Sequence, residues 1–332
     1  MRVGLIDFDG KIPNLALMKL STYHKAMGDT VVLNNFTPGQ VDMVYCSVVF
    51  KKNGEKAEQL AKLFPNILFG GTGWDITTTL PEEVEAVKPD YDLYTVQDIY
   101  TRVNKGIATG ASKLKKSQTL VNAGIGFTTR GCVRACPFCV VPQKEGKLRK
   151  VGEIADLINP RSNVIVILDN NFTADPDVLL KLKEIKERGL IIDITQGIDI
   201  RLMTPEVARA LSKVKHLRSV HYAWDLMASE GAVLRGIEVL EQFIKRWKHL
   251  CFTLVGYDTT FEEDMYRFRK LGELGVDPYV MVYNHNNADA RLQHFARWVN
   301  GRIYTKCDFS DYLPWVKAKQ QVSSGLFNAV PV

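Results

Sequence analysis

Cysteine is scarce in this chain, six among 332 residues. They are too unevenly spread to resemble the disulfide framework of a secreted domain. Long apolar runs are missing too. None approaches the ~20 residues that a bilayer-crossing helix needs, so no membrane partner is expected. The start, MRVGLIDFDGKIPN, meets its first acidic residue at Asp7 and reads as a buried strand rather than a signal peptide. A cytoplasmic setting with reduced thiols follows from that reading. Extremes of composition are also lacking. Hydrophobic residues make up 46% and charged residues 24%, the balance of an ordinary globular protein. The length suits one large α/β unit or two domains.

The net charge of +6 is modest, but its distribution is not. Residues 1–100 carry 9 Lys/Arg against 13 Asp/Glu, while 101–150 carry 11 basic side chains against Glu145 alone. Residues 151–332 balance at 23 of each. The excess is therefore concentrated in one belt. Such a belt suits a phosphate backbone such as RNA; it equally suits a solvated segment whose charges offset anionic thiolates.

Alternation of short apolar runs with amphipathic stretches organises the first hundred residues. RVGLIDF, DTVVLNNF, VDMVYCSVVF, NILFGG and YDLYTV read as strands, with helical patterns such as NLALMKLSTYHKAMG and EKAEQLAKLFP between them. Gly28 is placed to end the first helix. This spacing predicts a doubly wound, Rossmann-like parallel sheet. Residues 101–120 are basic, contain Gly and Ser, and read as a linker. From about 121 a second series begins, with strands NAGIGFTT, SNVIVILD, GLIIDITQ, RSVHYAW, LCFTLVGY and DPYVMVYN, each followed by a helical pattern. Six repeats predict a partial (β/α)6 TIM-like barrel over 121–300, short of the eight in the closed form. Asp175-Pro176 and Thr204-Pro205 are expected helix starts, and 301–332 form a C-terminal extension. In such folds chemistry gathers at the carboxyl ends of the strands.

At the end of the first strand of that series lies FTTRGCVRACPFCVVPQKEGKLR, which holds three of the six cysteines: Cys132, Cys136 and Cys139. A structural zinc site closes with four ligands. This loop supplies three, and the nearest histidines, His216 and His221, are distant in sequence. Three soft thiolates suit iron–sulfur ligation as well as zinc. With iron, one corner of a four-iron cluster would be left open.

Cys132-x3-Cys136-x2-Cys139, with Phe138 before the last cysteine, resembles the signature of the radical S-adenosylmethionine superfamily. TTRGCVRACPFCVVP is similar to its methylthiotransferases and to the branch with a cobalamin-binding-type domain ahead of the barrel. The resemblance implies a [4Fe–4S] cluster on the three cysteines, with S-adenosylmethionine chelating the open iron. Reductive cleavage would give a 5′-deoxyadenosyl radical that abstracts hydrogen from a substrate. An electron donor such as flavodoxin or ferredoxin is implied with it. By the same resemblance, Asn170 and Asn171 in ILDNNF lie where the cofactor's amino group is received. Gln196, Asp199 and Arg201 lie in TQGIDIRL. Arg201 suits the methionine carboxylate, or a pairing with Asp199. Asp225 in HYAWD suits the ribose or carboxylate, Gly256 in LVGYDTTFEED matches a glycine packing by the adenine, and Phe138 offers an apolar flank or fills core.

The first domain resembles cobalamin-binding domains in outline, but DFDGKI stands where their Asp-x-His-x-x-Gly motif would be. Cobalamin is therefore possible and not favoured. Methylthiotransferases carry three further cysteines here, whereas this domain has Cys46 alone, so a second cluster is not expected. LIDFDG also has the two carboxylates of an aspartyl-nucleophile phosphatase, although a strand-end turn explains them more simply. Two further readings stand beside the radical enzyme: a cobalamin-dependent methyltransferase of the same superfamily, and a non-catalytic iron–sulfur scaffold that binds nucleic acid.

Overall fold

A computed structural model describes residues 1–103, 110–285 and 287–313. Part of the expected linker, 104–109, and the last part of the expected extension, 314–332, lie outside the described residues. The chain divides into two compact units, one of 1–196 with 213–217 and one of 197–212 with 218 onward.

The first unit opens with β1 (Arg2–Asp7), β2 (Thr30–Leu33), β3 (Met43–Ser47) and β4 (Ile67–Gly70), all parallel in the order β2-β1-β3-β4. Val3 and Leu5 of the central strand pack with Leu17 and Leu20 of the helix Leu15–Ala26. Each such buried side chain contributes about 1.5–3 kcal/mol. Asn14 starts this helix by accepting from Leu17 N at 3.2 Å, and Gly28 ends it in the left-handed region at φ +83°. YDLYTV, expected as a fifth strand, is irregular. Asp92 N turns back onto Asp90 Oδ1 at 3.0 Å, and Thr95 already caps the helix Val96–Arg102 with Asp98 in a capping box. Its apolar residues are drawn into the core without a ladder: Tyr94 joins one cluster with Tyr91 and Leu93 packed against it, and Leu93 also packs on a second.

The same unit continues through β5 (Gly124–Gly126), β6 (Thr129–Arg130), β7 (Arg149–Lys150), β8 (Val164–Ile167), β9 (Ile191–Ile194) and β10 (Lys215–His216). β10-β9-β8-β5 form a second parallel sheet, and β6 and β7 a two-residue antiparallel ladder. All four residues of β8, Val-Ile-Val-Ile, are buried, as in a parallel strand covered on both faces. Residues 110–120, read from sequence as linker, belong to the helix Gly110–Asn122. Its Leu120 and Val121 join Ile99, Ile125, Val164 and Val166 in one core, while Lys115 and Lys116 remain exposed. The expected helix KVGEIADLI is only a 3-10 turn, Ile154–Leu157, squeezed between β7 and Pro160.

The second unit carries β11 (Val220–Ala223), β12 (His249–Val255) and β13 (Asp277–Val282), a parallel sheet in that order. Val255 and Val280 pack with Met265 of the helix Phe261–Glu273 and with Phe295, Trp298 and Val299 of the helix Ala290–Asn300. The six strands expected after residue 121 all form, and with β10 they divide between two sheets. The fold is α/β with parallel sheets, and no closed barrel forms among the described residues. No helix among them is long and apolar enough to cross a membrane.

Candidate functional site

β5 and β8 are neighbours in register, so the segments leaving their carboxyl ends run side by side. The loop after β8 grips the segment leading to the cysteines with three consecutive side chains. Asp169 accepts from Thr128 N at 2.6 Å, from Thr128 Oγ1, and from Thr129 Oγ1 at 2.8 Å. Asn170 Oδ1 accepts from Gly131 N at 2.9 Å. Asn171 Nδ2 donates to Cys132 Sγ at 3.4 Å. Gly131 is required by shape as well: its φ is +81°, and a Cβ there would lie 2.2 Å from Lys147 O.

Under this grip lies a buried charge network that sequence inspection did not single out. Lys181, 3% exposed, donates to Thr128 Oγ1 at 2.7 Å and pairs with Asp175. Asp169 and Asp175 are buried with it. Asp175 accepts from Asp177 N at 2.9 Å, and the helix starts at Val178, two residues beyond the expected Asp-Pro start. At the other expected start, Thr204 Oγ1 accepts from Val207 N at 3.3 Å, ahead of the helix Pro205–Ser212.

Beyond Gly131 the loop is more open. Cys132, Cys136 and Cys139 are half-buried and in no disulfide, and Phe138 is half-buried as well. Cys139 N donates to Cys136 O at 3.0 Å, which folds the last two cysteines into one tight turn. Arg134 N donates to Cys132 Sγ at 3.3 Å. Among the described residues no three His, Cys, Asp or Glu side chains already stand together in a metal-holding group. The donor set fits an iron–sulfur cluster in its chemistry: three soft sulfurs on one short loop, with no carboxylate or imidazole between them.

Gln196, also in the first unit, is exposed just past β9. The other expected cofactor residues lie in the second unit. Arg201 engages Asp199 through both ends of its fork, Nε to Oδ1 at 2.6 Å and Nη2 to Oδ2 at 3.0 Å. The pairing weighed from sequence is therefore the one found. Asp225, at the end of β11, accepts from Leu254 N at 3.1 Å. Burial raises its pKa, opposed by that hydrogen bond and by Arg267 and Arg201. Gly256 follows β12 at φ +75°, and its N–H donates to Asp264 Oδ2 at 3.3 Å. The fully buried Arg267 ties these strand ends together, donating at 2.8 Å to the carbonyls of Trp224, Asp225 and Leu254 and pairing with Asp264. It was not singled out from sequence, though its place on the buried stripe with Asp264 and Leu271 is the signal that could have found it.

At the end of β1 the two carboxylates of DFDG are committed to structure. Asp7 accepts from Gly10 N at 2.9 Å and Tyr94 OH at 2.8 Å and pairs with Arg102. Asp9 accepts from Val49 N, Phe50 N and Asn53 Nδ2. That is a turn. Gly71 and Gly73 press so closely on the backbone of Val48–Phe50 that a Cβ would lie 2.4 and 2.5 Å away, and Trp74 stacks on Phe69 at 4.2 Å. Burial pushes the Cys46 thiol up to about 12, which disfavours a metal-binding thiolate there.

Several members of the basic belt are paired within the first unit. Arg130 bridges Glu85 and Glu145 and lies 4.0 Å over the Phe127 ring. Lys150 pairs with Glu153 at 2.5 Å, and Lys144 donates to Thr72 Oγ1 at 3.1 Å.

No protein-family model matches the chain, and no curated protein matches it. Among solved structures it is similar to the crystal structure of Streptococcus suis SuiB bound to precursor peptide SuiA, with a TM-score of 0.37 and 13% identity over 60% of this chain and 54% of that one. The match thus spans about half of the SuiB chain, and at that score it carries no argument about function.

Proposed function

We propose that this chain is a radical S-adenosylmethionine enzyme whose [4Fe–4S] cluster is held by Cys132, Cys136 and Cys139. The observation that supports this best is the three-thiol loop at the carboxyl end of β5, held by hydrogen bonds to the neighbouring strand end and keeping its sulfurs half-exposed. When bound, the cluster and its cofactor supply one-electron cleavage of S-adenosylmethionine to methionine and a hydrogen-abstracting 5′-deoxyadenosyl group. The chain's part is to present and orient. Asp169, Asn170 and Asn171 fix the loop's entry, and Phe138 gives the cofactor an apolar flank. Asp225 offers a carboxylate to the ribose, and the bare backbone at Gly256 admits the adenine. Arg201 would take the methionine carboxylate by exchanging or sharing its bond to Asp199. Gln196, exposed just past β9, offers an amide as a further cofactor contact. In this proposal the barrel spans 121–300 and follows a Rossmann-like domain. An external donor such as flavodoxin or ferredoxin supplies the electron, and RNA is a candidate partner of the 101–150 belt.

Anaerobically reconstituted protein given dithionite and S-adenosylmethionine should release 5′-deoxyadenosine, and Cys136→Ala should not. Iron uptake without that product would favour the scaffold reading. Bound zinc with no iron uptake would overturn both.

A further inference from the structure

We infer that Asn171 is a positioning residue for the cluster, its side-chain amide donating to the Cys132 sulfur and raising the cluster's affinity for an electron. The inference rests on the cluster reading above and deepens it.

The orientation of the amide is set by its surroundings. Asn171 is 4% exposed, and its Oδ1 accepts from Ala174 N at 3.2 Å and from Thr173 Oγ1 at 3.4 Å. A flipped amide would set its NH2 against the Ala174 N–H and its oxygen against the sulfur, losing bonds on both sides. The NH2 therefore points at Cys132 Sγ, 3.4 Å away. Asn170, one residue earlier, anchors Gly131 N, so adjacent side chains hold adjacent residues of the cysteine loop and fix the approach angle. An N–H donor draws electron density from a ligating sulfur and favours the more negative, reduced cluster. Burial strengthens the effect by lowering the local dielectric. Asn171 also caps the short turn Phe172–Ala174 through the same Oδ1, so its structural and electronic roles sit on different atoms and can be separated by substitution.

Asn171→Asp keeps an oxygen for Ala174 and replaces the donor with an anion. Asn171→Ser keeps a capping hydroxyl too short to reach the sulfur. Reconstituted wild-type and variant proteins are compared for iron and sulfide content, melting temperature and midpoint potential, the last followed by electron paramagnetic resonance. Asn171→Ser should melt near the wild type and Asn171→Asp lower, because its carboxylate is buried beside a sulfur. Both should shift to a more negative potential, Asn171→Asp further than Asn171→Ser. At the wild-type midpoint less than half of either variant's cluster would then be reduced. Loaded variants with the wild-type potential would overturn the inference and leave the cluster reading intact. If Asn171→Asp does not load, the Asn171→Ser potential decides alone. A wild-type protein that takes up no iron would sink the cluster reading and this inference with it.

Discussion

At the end of β1, Asp7 accepts from Gly10 and Tyr94 and pairs with Arg102; at the end of β8, Asp169 accepts from Thr128 and Thr129. Both carboxylates are buried, and both are occupied by their own protein. The two ends diverge in what the next residues reach. After Asp7, the second carboxylate, Asp9, is absorbed by Val49, Phe50 and Asn53, and nothing reactive is held out. After Asp169, Asn170 and Asn171 hold a loop whose three thiols stay half-exposed. An acidic strand end is thus no sign of chemistry by itself. The informative feature is whether its hydrogen bonds end in structure or continue to a nucleophile or metal ligand.

The sharpest way to break this comparison is Lys181→Met. It strips the buried cation from Asp175 and Thr128 and should cost about 3–5 kcal/mol of stability, read as a lower urea midpoint. A loss under about 1 kcal/mol would mean that the β8 end does not depend on the buried network. Asp7→Asn sharpens the other side. Losing the pair with Arg102 should cost about 2 kcal/mol, while iron content after reconstitution stays at the wild-type level. A fall in iron would show that the β1 end does serve the cysteine loop.

The smallest effect belongs to a third strand end, that of β11. Burial raises the pKa of Asp225, so the folded protein holds this proton more tightly than the unfolded chain. Stability is therefore lost as pH rises from the unfolded value near ~3.9 up through the folded pKa. Asn in its place still accepts from Leu254 N and carries no charge to desolvate. Asp225→Asn should stabilise the protein at neutral pH by under about 1 kcal/mol and flatten that slope in thermal melts across pH. A destabilised variant would show that the carboxylate's charge is compensated after all.

Strand existence was legible where apolar runs were long. Four of the five strands expected in the first series and all six in the second are present. YDLYTV misled because apolar residues drawn into the core from an irregular segment look in sequence like those of a short strand. β10 escaped notice because Lys-His alone carries no pattern. The division of the later strands between two sheets is invisible to periodicity, which reports which residues are buried and not which strands pair. In the site, the cysteine spacing was readable and the grip on it was not, because Asp169 and Asn171 act across a strand pairing. One signal was missed. Lys181 shares the stripe of Val178, Leu182 and Ile185 while Leu179 and Leu180 face solvent. A lysine at a core position of a helix asks for a buried counter-charge.

The two-residue ladder between β6 and β7 has an engineering consequence. It works as a neck, reinforced by Cys132 N on Gly146 O at 3.3 Å, so both stems of residues 131–148 are clamped together whatever the loop between them contains. Lengthening that loop beyond Val140 changes its closure entropy only logarithmically and leaves the thiol-bearing half in place. Cutting the neck, for instance with proline at Thr129, would turn the same residues into an open tether. The smallest piece that could be grafted onto another scaffold is therefore the whole hairpin, stems included, together with residues 169–171, which hold its entry.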